Sequence, residues 1–442
     1  MCPVSSCASH TCVLGLCRAP DALLILSAWS SLDMHLCLRW SFIFALHTIA
    51  KADVSVLHFT LPGSVPETGT GPGEVVVADI FVKVLALPSG RRWRGFAFFA
   101  SVEPKYHTWG GDLSMPPAVV GWKPNIYLRS HMTGNIHNAT VIDNMTFREH
   151  NQLGEHRLGM PTQFHGTLPE KDDLYELRVE DWDRFGLVSS TDASWEEDFS
   201  PKHWLVLPPV RNVPNLRLDP VMLVAHNVDY HCGLGFHVSV YVLPHQRGDF
   251  MQSAHLRPYI ESGKLEIVVW EQVPECTHFS SCQHALQNSH ATLAAWGQQR
   301  LLTFIDVDEF VAFPNNVSLD MFSDTCIKNS TSVTFQRFDF TCLTCLSESN
   351  LWFGPESLFE PHPLTHYGQV IGSHAYASGK SMVDSNHVLG YAIHGGYRLH
   401  GNHTNLPHEC GRVLHIVNMF STRETVNGSE LPVGAWKRPF KS

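Results

Sequence analysis

The chain lacks any unbroken apolar run of about 18 residues, so a bundle of membrane-spanning helices is excluded. Charge is scarce: Asp, Glu, Lys and Arg make up 17% of the residues, and 31 Lys and Arg stand against 42 Asp and Glu, a formal net charge of −11. A chain this short of basic residues has no stripe with which to grip a phosphate backbone, so nucleic acid is not an expected partner. No G-x-G-x-x-G or Walker pattern occurs at the first strand of the strand–helix region, which argues against a nucleotidyltransferase. One C-x-x-C is present, Cys342 with Cys345, and a zinc ribbon would need a second.

The 442 residues suggest two or three domains at roughly 100–200 residues each. A hydrophobic content of 44% is enough for a sizeable core and excludes global disorder. Residues 1–52 read as a signal peptide or signal anchor. From Met34 the sequence runs MHLCLRWSFIFALHTIAKA: a short region with Arg39, an apolar stretch from Trp40 to Leu46, and small residues at Ala50 and Ala52. Either Met34 is the start, or residues 22–50 act as a poor anchor holding the N-terminus to a membrane. Six N-x-S/T sequons, at Asn138, Asn144, Asn316, Asn329, Asn402 and Asn427, agree with passage through the secretory pathway and a Golgi lumen or membrane location.

Cys2, Cys7, Cys12, Cys17 and Cys37 lie in the leader at spacings that fit no zinc pattern. Of the seven others (Cys232, Cys276, Cys282, Cys326, Cys342, Cys345 and Cys410), most should pair in an oxidising lumen, leaving one over. Cys276 and Cys282 bracket a loop they could close. Cys342 and Cys345 read as a local or crossed disulfide in preference to a redox site.

Residues 53–201 form a β-rich region. Alternating apolar runs such as GEVVVADIFVKVLAL and RGFAFFASV are separated by Pro/Gly turns, the pattern of a β-sandwich. Its tryptophans, Trp93, Trp109, Trp122, Trp182 and Trp195, could stack on sugars but are expected in the core. The polar stretch Ser189–Pro201 reads as a linker. Residues 202–425 alternate strand and helix: HWLVL, then a helix over PVMLVAHNVDYHCGLG ending at a Gly, then HVSVYVLP, a helix over 250–262, KLEIVVWEQ, a helix over HALQNSHATLAAW, and LLTFIDVDEFVAF as a further strand. The order βαβαβαβ implies a parallel sheet covered on both faces, a doubly wound α/β domain with its ligand site at the carboxyl ends of the strands. Residues 426–442 are set apart as a C-terminal tail.

The string LLTFIDVDEFVAFP, residues 301–314, delivers Asp306, Asp308 and Glu309 at the far end of an apolar run. On an extended chain, Asp306 and Asp308 point to the same side. Carboxylates so placed can share one hard cation such as Mn²⁺ or Mg²⁺. Nucleotide-sugar transfer uses such a metal to neutralise the departing diphosphate. The pair is too close for the opposed carboxylates of a glycoside hydrolase.

About residues 210–420 resemble family 92 glycosyltransferases, a group that includes plant galactan β-1,4-galactosyltransferases and animal enzymes that galactosylate core fucose. The resemblance is carried by Arg211 and Asn212, DYHCGLGF at 229–236, YVLPHQRGD at 241–249, RPYIESGKLEIVVW at 257–270, QHALQNSH at 283–290, LLTFIDVDEF, KSMVDSNHV at 380–388, and His394. Val213 replaces a family Glu, His290 a family Cys, and the leucine run a family Trp. The segment from Cys342 to Gly379 departs from the acceptor-facing pattern.

The resemblance implies a GT-A-type fold, UDP-galactose as donor, a glycan as acceptor and inversion at the transferred carbon. It implies Asp308 as a metal ligand, Asp306 as a metal ligand or a neighbour of the donor ribose, and His394 as a third ligand. Lys380 would face the diphosphate, and Asn212 and Gln283 the rest of the donor. An inverting transfer needs a base for the acceptor hydroxyl; Asp339, Glu348 and Glu356 are the candidates. The rival expectation is a non-catalytic carbohydrate-binding protein that keeps the fold without turnover.

Overall fold

The longest alternating runs of the β-rich region form one long hairpin that is buried on both sides. The computed structural model describes residues 54–60, 74–87, 90–102, 123–144, 147–150, 156–169, 172–179, 185–192, 202–210, 219–271, 282–298, 300–314, 317–327, 330–341, 369–374, 379–391, 396–398, 401–416 and 429–430. The leader lies outside them. Among the described residues no helix is long and apolar enough to cross a membrane.

The first sheet has ten strands: β1 Ser55–Thr60, β2 Glu74–Leu87, β3 Gly90–Val102, β4 Ile126–Ser130, β5 Ile136–Asn138, β6 Thr140–Asn144, β7 Phe147–His150, β8 His156–Leu168, β9 Leu174–Val179 and β10 Gly186–Asp192. Its order is β5-β4-β9-β10-β2-β3-β8-β6, with β1 on β2 and β7 on β8. β10 joins the two halves, antiparallel to β9 through Gly186–Ser189 and parallel to β2 through Ser190–Asp192. Four residues of the expected linker therefore lie at the end of this joining strand, and residues 193–201 lie outside the described chain. Ala78, Ile80, Val82 and Val84 of β2 share one core with Trp93, Phe99, Phe164, Ile126, Tyr175 and Val188. The alternate residues Phe81 and Leu85, with Phe96 and Phe98 of β3, face the other way into a second core.

The second sheet has eleven strands, drawn from β11 Lys202–Leu207, β12 His237–Val242, β13 Leu265–Val269, β14 Arg300–Phe304, β15 Glu309–Ala312, β16 Ser330–Thr341, β17 Gln369–His374, β18 Lys380–Asp384, β21 Asn402–Asn405, β22 Arg412–Ile416 and β23 Ser429–Glu430. β19 Val388–Tyr391 and β20 Gly396–Arg398 pair separately. Between the strands lie α1 Pro220–Leu234, α2 Arg247–Gln252, α3 Arg257–Glu261, α4 Cys282–Ala295 and α5 Leu319–Phe322. Strands β13-β12-β11-β14 are parallel neighbours, as the alternation of strand and helix predicts. Leu205 and Leu207 of β11 pack with α1 on one face. Trp204 and Val206 pack with α4 on the other, and beyond α4 lie Phe81, Phe96 and Phe98 of the first sheet.

Two elements differ from the sequence reading. The helix expected over 250–262 is α2 and α3, interrupted at residues 253–256 where Ser253 turns out of the helix at ψ 125°; Pro258, which lacks an N–H donor, is accommodated in the first turn of α3. The single strand expected over LLTFIDVDEFVAF is β14 and β15, separated by a turn at Val307–Asp308. β14 pairs with β11 and β18, whereas β15 pairs with β22, so the change of partner forces the break.

Cys326 and Cys410 form a disulfide across 84 residues of sequence, and Cys232 is a buried free thiol. The expected Cys276–Cys282 and Cys342–Cys345 pairings fall on side chains outside the described set.

Gly95 of β3 is needed for close approach. A Cβ there would meet the Phe164 ring and the Phe81 carbonyl oxygen, and the latter is fixed by the β2–β3 ladder. Gly95→Ala is expected to lower the unfolding free energy by about 2 kcal/mol or more, read by urea or thermal denaturation. An unchanged midpoint would show that the strands are not so closely packed.

Candidate active site

The site begins with α1. Asp219 caps it, accepting a hydrogen bond from the Val221 N–H at 2.9 Å, and Gly235 ends it at φ 102°. Asn227, Tyr230 and His231 share one face of this helix. Asn227 Nδ2 donates to the Val307 and Glu309 carbonyls at 3.1 and 2.9 Å, and the Tyr230 hydroxyl donates to the Val311 carbonyl at 3.0 Å. The Val311 N–H donates to His231 Nε2 at 3.1 Å, which makes Nδ1 the protonated nitrogen, donating to the Asn227 carbonyl at 2.8 Å. The tyrosine and histidine of the DYHCGLGF string thus hold the backbone of the acidic segment.

That segment turns at residues 305–308. The Glu309 N–H donates to the Asp306 carbonyl at 3.0 Å, and the Asp306 N–H donates back to Glu309 Oε2 at 2.8 Å. The antiparallel register of β14 and β18, in which Thr303 faces Met382, brings Lys380 level with Ile305. Lys380 Nζ donates to Asp306 Oδ2 at 2.7 Å and lies 3.2 Å from Glu309 Oε2. The lysine side chain is 4% exposed and that of Glu309 0%, while Asp306 keeps 36%. Burial opposes the charge on Lys380, but Glu309 and Asp306 outweigh it and hold its pKa above the usual lysine range. Burial pushes Glu309 up to about 7 against the pull of Lys380. Burial also works against an ionised Asp306, yet Lys380 and His284 hold its carboxyl below the usual range.

On the far side of the turn, His415 of β22 lies between two acids. Its Nε2 is 3.5 Å from Asp308 Oδ2 and its Nδ1 donates to Asp339 Oδ1 at 2.7 Å. Burial opposes its protonation, but the two carboxylates win and raise it to about 9. Arg337 Nε stands 3.4 Å from Asp339, and its NH1 3.9 Å from Glu309.

A small open cleft lies beside Asp306, lined by Pro208, His284, Asn288, Phe304, Ile305, Asp306 and Lys380. Pro208 follows β11 and Ile305 follows β14, so the cleft sits where the parallel strands end. The order β13-β12-β11-β14 reverses direction at β11, the switch point at which open α/β sheets bind ligands.

The structure brings together Asp306 and Lys380 in the cleft, and joins Asp308 to Asp339 through His415. Because residues 305–308 turn, the acidic pair is not presented from an extended chain as its spacing predicts. Gln283 is buried beside the cleft-lining His284 and accepts a hydrogen bond from Trp270 Nε1 at 2.8 Å. Asn212, Glu348, Glu356 and His394 lie outside the described residues. His290, which replaces the family cysteine, is buried against the Tyr241 hydroxyl at 2.8 Å, and burial pulls it down to about 4. The sequence reading did not single out His284, Asn288 or His415 for the site. The first two were findable as an i, i+4 pair on the helix preceding the acidic strand; His415 was one of several histidines, and only the pairing of β22 with β15 distinguishes it.

Among the described residues no group of three or more His, Cys, Asp or Glu side chains is arranged to hold a metal ion. The donor set fits a cation in part. Asp306 Oδ1, the oxygen not held by Lys380, faces the cleft 3.9 Å from His284 Nδ1. The single charge of Lys380 is already offset by Asp306.

His415 generates a pH prediction. Its folded pKa lies above the unfolded value, so its contribution to stability is complete below about 6.5 and is lost as the pH rises through about 9. Unfolding free energy is expected to fall by ~3 kcal/mol between about pH 6 and pH 9.5, and His415→Gln to flatten that slope. Equal slopes in urea titrations of wild type and variant would refute the Asp308–His415–Asp339 arrangement.

The sequence signature of glycosyltransferase family 92 matches residues 219–442, from the cap of α1 onward and through every element of the cleft except β11. No curated protein sequence matches the chain. Members of such a family act between a sugar donor and an acceptor. With more than half of its length matched, the chain belongs to glycosyltransferase family 92.

Proposed function

We propose that the protein transfers a hexose, galactose from UDP-galactose, to a glycan acceptor with inversion, so that an α-linked donor yields a β-linked product. One observation carries this reading: the cleft at the switch point between β11 and β14, where Asp306 and Lys380 meet, lies in a chain of a sugar-transferring family. The doubly wound core β13-β12-β11-β14 supports a GT-A-type domain for the transfer step.

In this reading Lys380 faces the diphosphate of the donor, with Asp306 beside the ribose or the cation. Asn212 and Gln283 serve the rest of the donor, Gln283 by fixing the start of α4. A divalent cation such as Mn²⁺ would be held by Asp306, with Asp308 and His394 as further ligands, and when bound would neutralise charge on the departing UDP. The apolar wall of Phe304, Ile305 and Pro208 keeps bulk water from one side of the reaction. The acceptor proton goes to a carboxylate. Asp339 is engaged by His415 and Arg337, which leaves Glu348 and Glu356 as the other candidates for the base. The secretory, Golgi-type location is supported by Asn138 and Asn402, two sequon asparagines on exposed strand positions.

The test is UDP release by the full chain from a panel of UDP-sugars, produced in a secretory host and assayed with Mn²⁺ and with EDTA. UDP-galactose is expected to turn over with Mn²⁺ only, and Asp308→Ala and Lys380→Met each to reduce kcat/KM by ~100-fold or more. No turnover of any UDP-sugar, with no calorimetric binding of UDP, would reject the enzyme and favour a glycan-binding protein.

A further inference from the structure

The first sheet carries two buried cations that the reading above does not use. Lys83 of β2 and Arg94 of β3 stand directly opposite each other in the ladder. Like charges at such a pair repel, and both side chains are 5% exposed or less. Lys83 Nζ donates to the Ala294 and Trp296 carbonyls at 3.0 and 2.9 Å, the carboxyl end of α4, where a cation complements the helix dipole. Arg94 donates to the Ser385 and Asn386 carbonyls at 3.1 and 2.7 Å, and its guanidinium lies 4.4 Å above the Trp296 ring.

Both targets lead to the cleft. α4 carries His284 and Asn288. The turn at 385–387 follows β18, whose first residue is Lys380. The two are also tied to each other: Ser385 Oγ donates to the Ala295 carbonyl at 3.0 Å, and the Gly297 N–H donates to Asn386 Oδ1 at 3.1 Å. A third contact comes from β8, where Gln163 Nε2 donates to Ser289 Oγ of α4 at 3.1 Å. The family signature begins at residue 219, so all three pegs come from outside it.

We propose that the β-rich sheet is a built-in clamp of the transferase cleft, with Lys83 and Arg94 as positioning residues that fix α4 and the β18–β19 turn, and through them His284, Asn288 and Lys380. The sheet is then neither a stem nor a separate sugar-binding module, and the matched segment is incomplete without it. The inference rests on the cleft being the donor site. Lys83→Met and Arg94→Met, made in the full chain, keep the aliphatic bulk and remove the donors. UDP affinity in the presence of Mn²⁺ and KM for UDP-galactose are expected to weaken by ~10-fold or more. Amide exchange should quicken in 284–297 and 380–388, cooperative melting should persist, and Lys83→Arg and Arg94→Lys should recover part of the loss.

Cooperatively folded Met variants with wild-type UDP affinity and wild-type exchange would overturn the clamp. Should the Met variants fail to fold, Gln163→Leu, which removes a single bond, decides by the same two readouts. If wild type itself binds no UDP, the donor-site reading falls, and the exchange rates of α4 and β18 alone still confirm or reject the mechanical link.

Discussion

One ammonium group organises the acidic turn. Lys380 is buried against Asp306 and Glu309, and removing the lysine would leave two carboxylates side by side with no cation between them, in a medium that solvates them poorly. The lysine can occupy that place only if β18 runs antiparallel beside β14 in the observed register and the chain turns sharply after Ile305. The turn sends the following residues to a different partner strand, so the apolar run becomes two short strands with the acids at the junction. β14 ends at the cleft and β15 begins beside β22, with Asp306 and Asp308 both in the junction between them.

The junction is secured from several directions at once. α1 grips the backbone of 307–311 through Asn227 Nδ2, the Tyr230 hydroxyl and the His231 ring. His415 ties Asp308 to β16 through Asp339. Acids and bases therefore alternate through the interior, each neutralising the next, and Asp306 is left as the carboxylate with substantial access to the cleft. Such a site has its electrostatics fixed before a ligand arrives, the condition under which charge stabilisation is effective.

Much of this was legible in the residues. The parallel core follows from strands alternating with helices, and α1 is bounded by Asp219 with Pro220 at one end and Gly235 at the other. The acidic string at the end of an apolar run marked the site, and Lys380 was drawn to it by family resemblance. What escaped was decided by distant pairings. Nothing local in LLTFIDVDEFVAF announces a change of partner strand, because both halves are equally apolar. His415 looks like its neighbouring histidines until β22 is placed between β15 and β16. Ser189–Asp192 has the polar composition of a linker, yet its backbone completes the ladder beside β2. Lys83 and Arg94 put charge into the apolar alternation of β2 and β3, and only the distant α4 and the turn after β18 supply the carbonyls that bury them.

The contacts between the two sheets are also remote along the chain, with 213 residues separating Lys83 from Trp296 and 291 separating Arg94 from Ser385. Synthesis proceeds from the N-terminus, so β2 and β3 emerge long before α4 and β18 exist. Until about residue 296 has left the ribosome, Phe81, Phe96 and Phe98 lack the cover of α4 and Lys83 has no carbonyls to meet, and Arg94 waits for residue 386. At typical elongation rates of roughly 5–20 residues per second, that interval lasts tens of seconds, long compared with hydrophobic collapse. The nascent chain thus carries an uncovered aromatic sheet face for much of its synthesis, and that face is a natural target for chaperones in whatever compartment the protein matures.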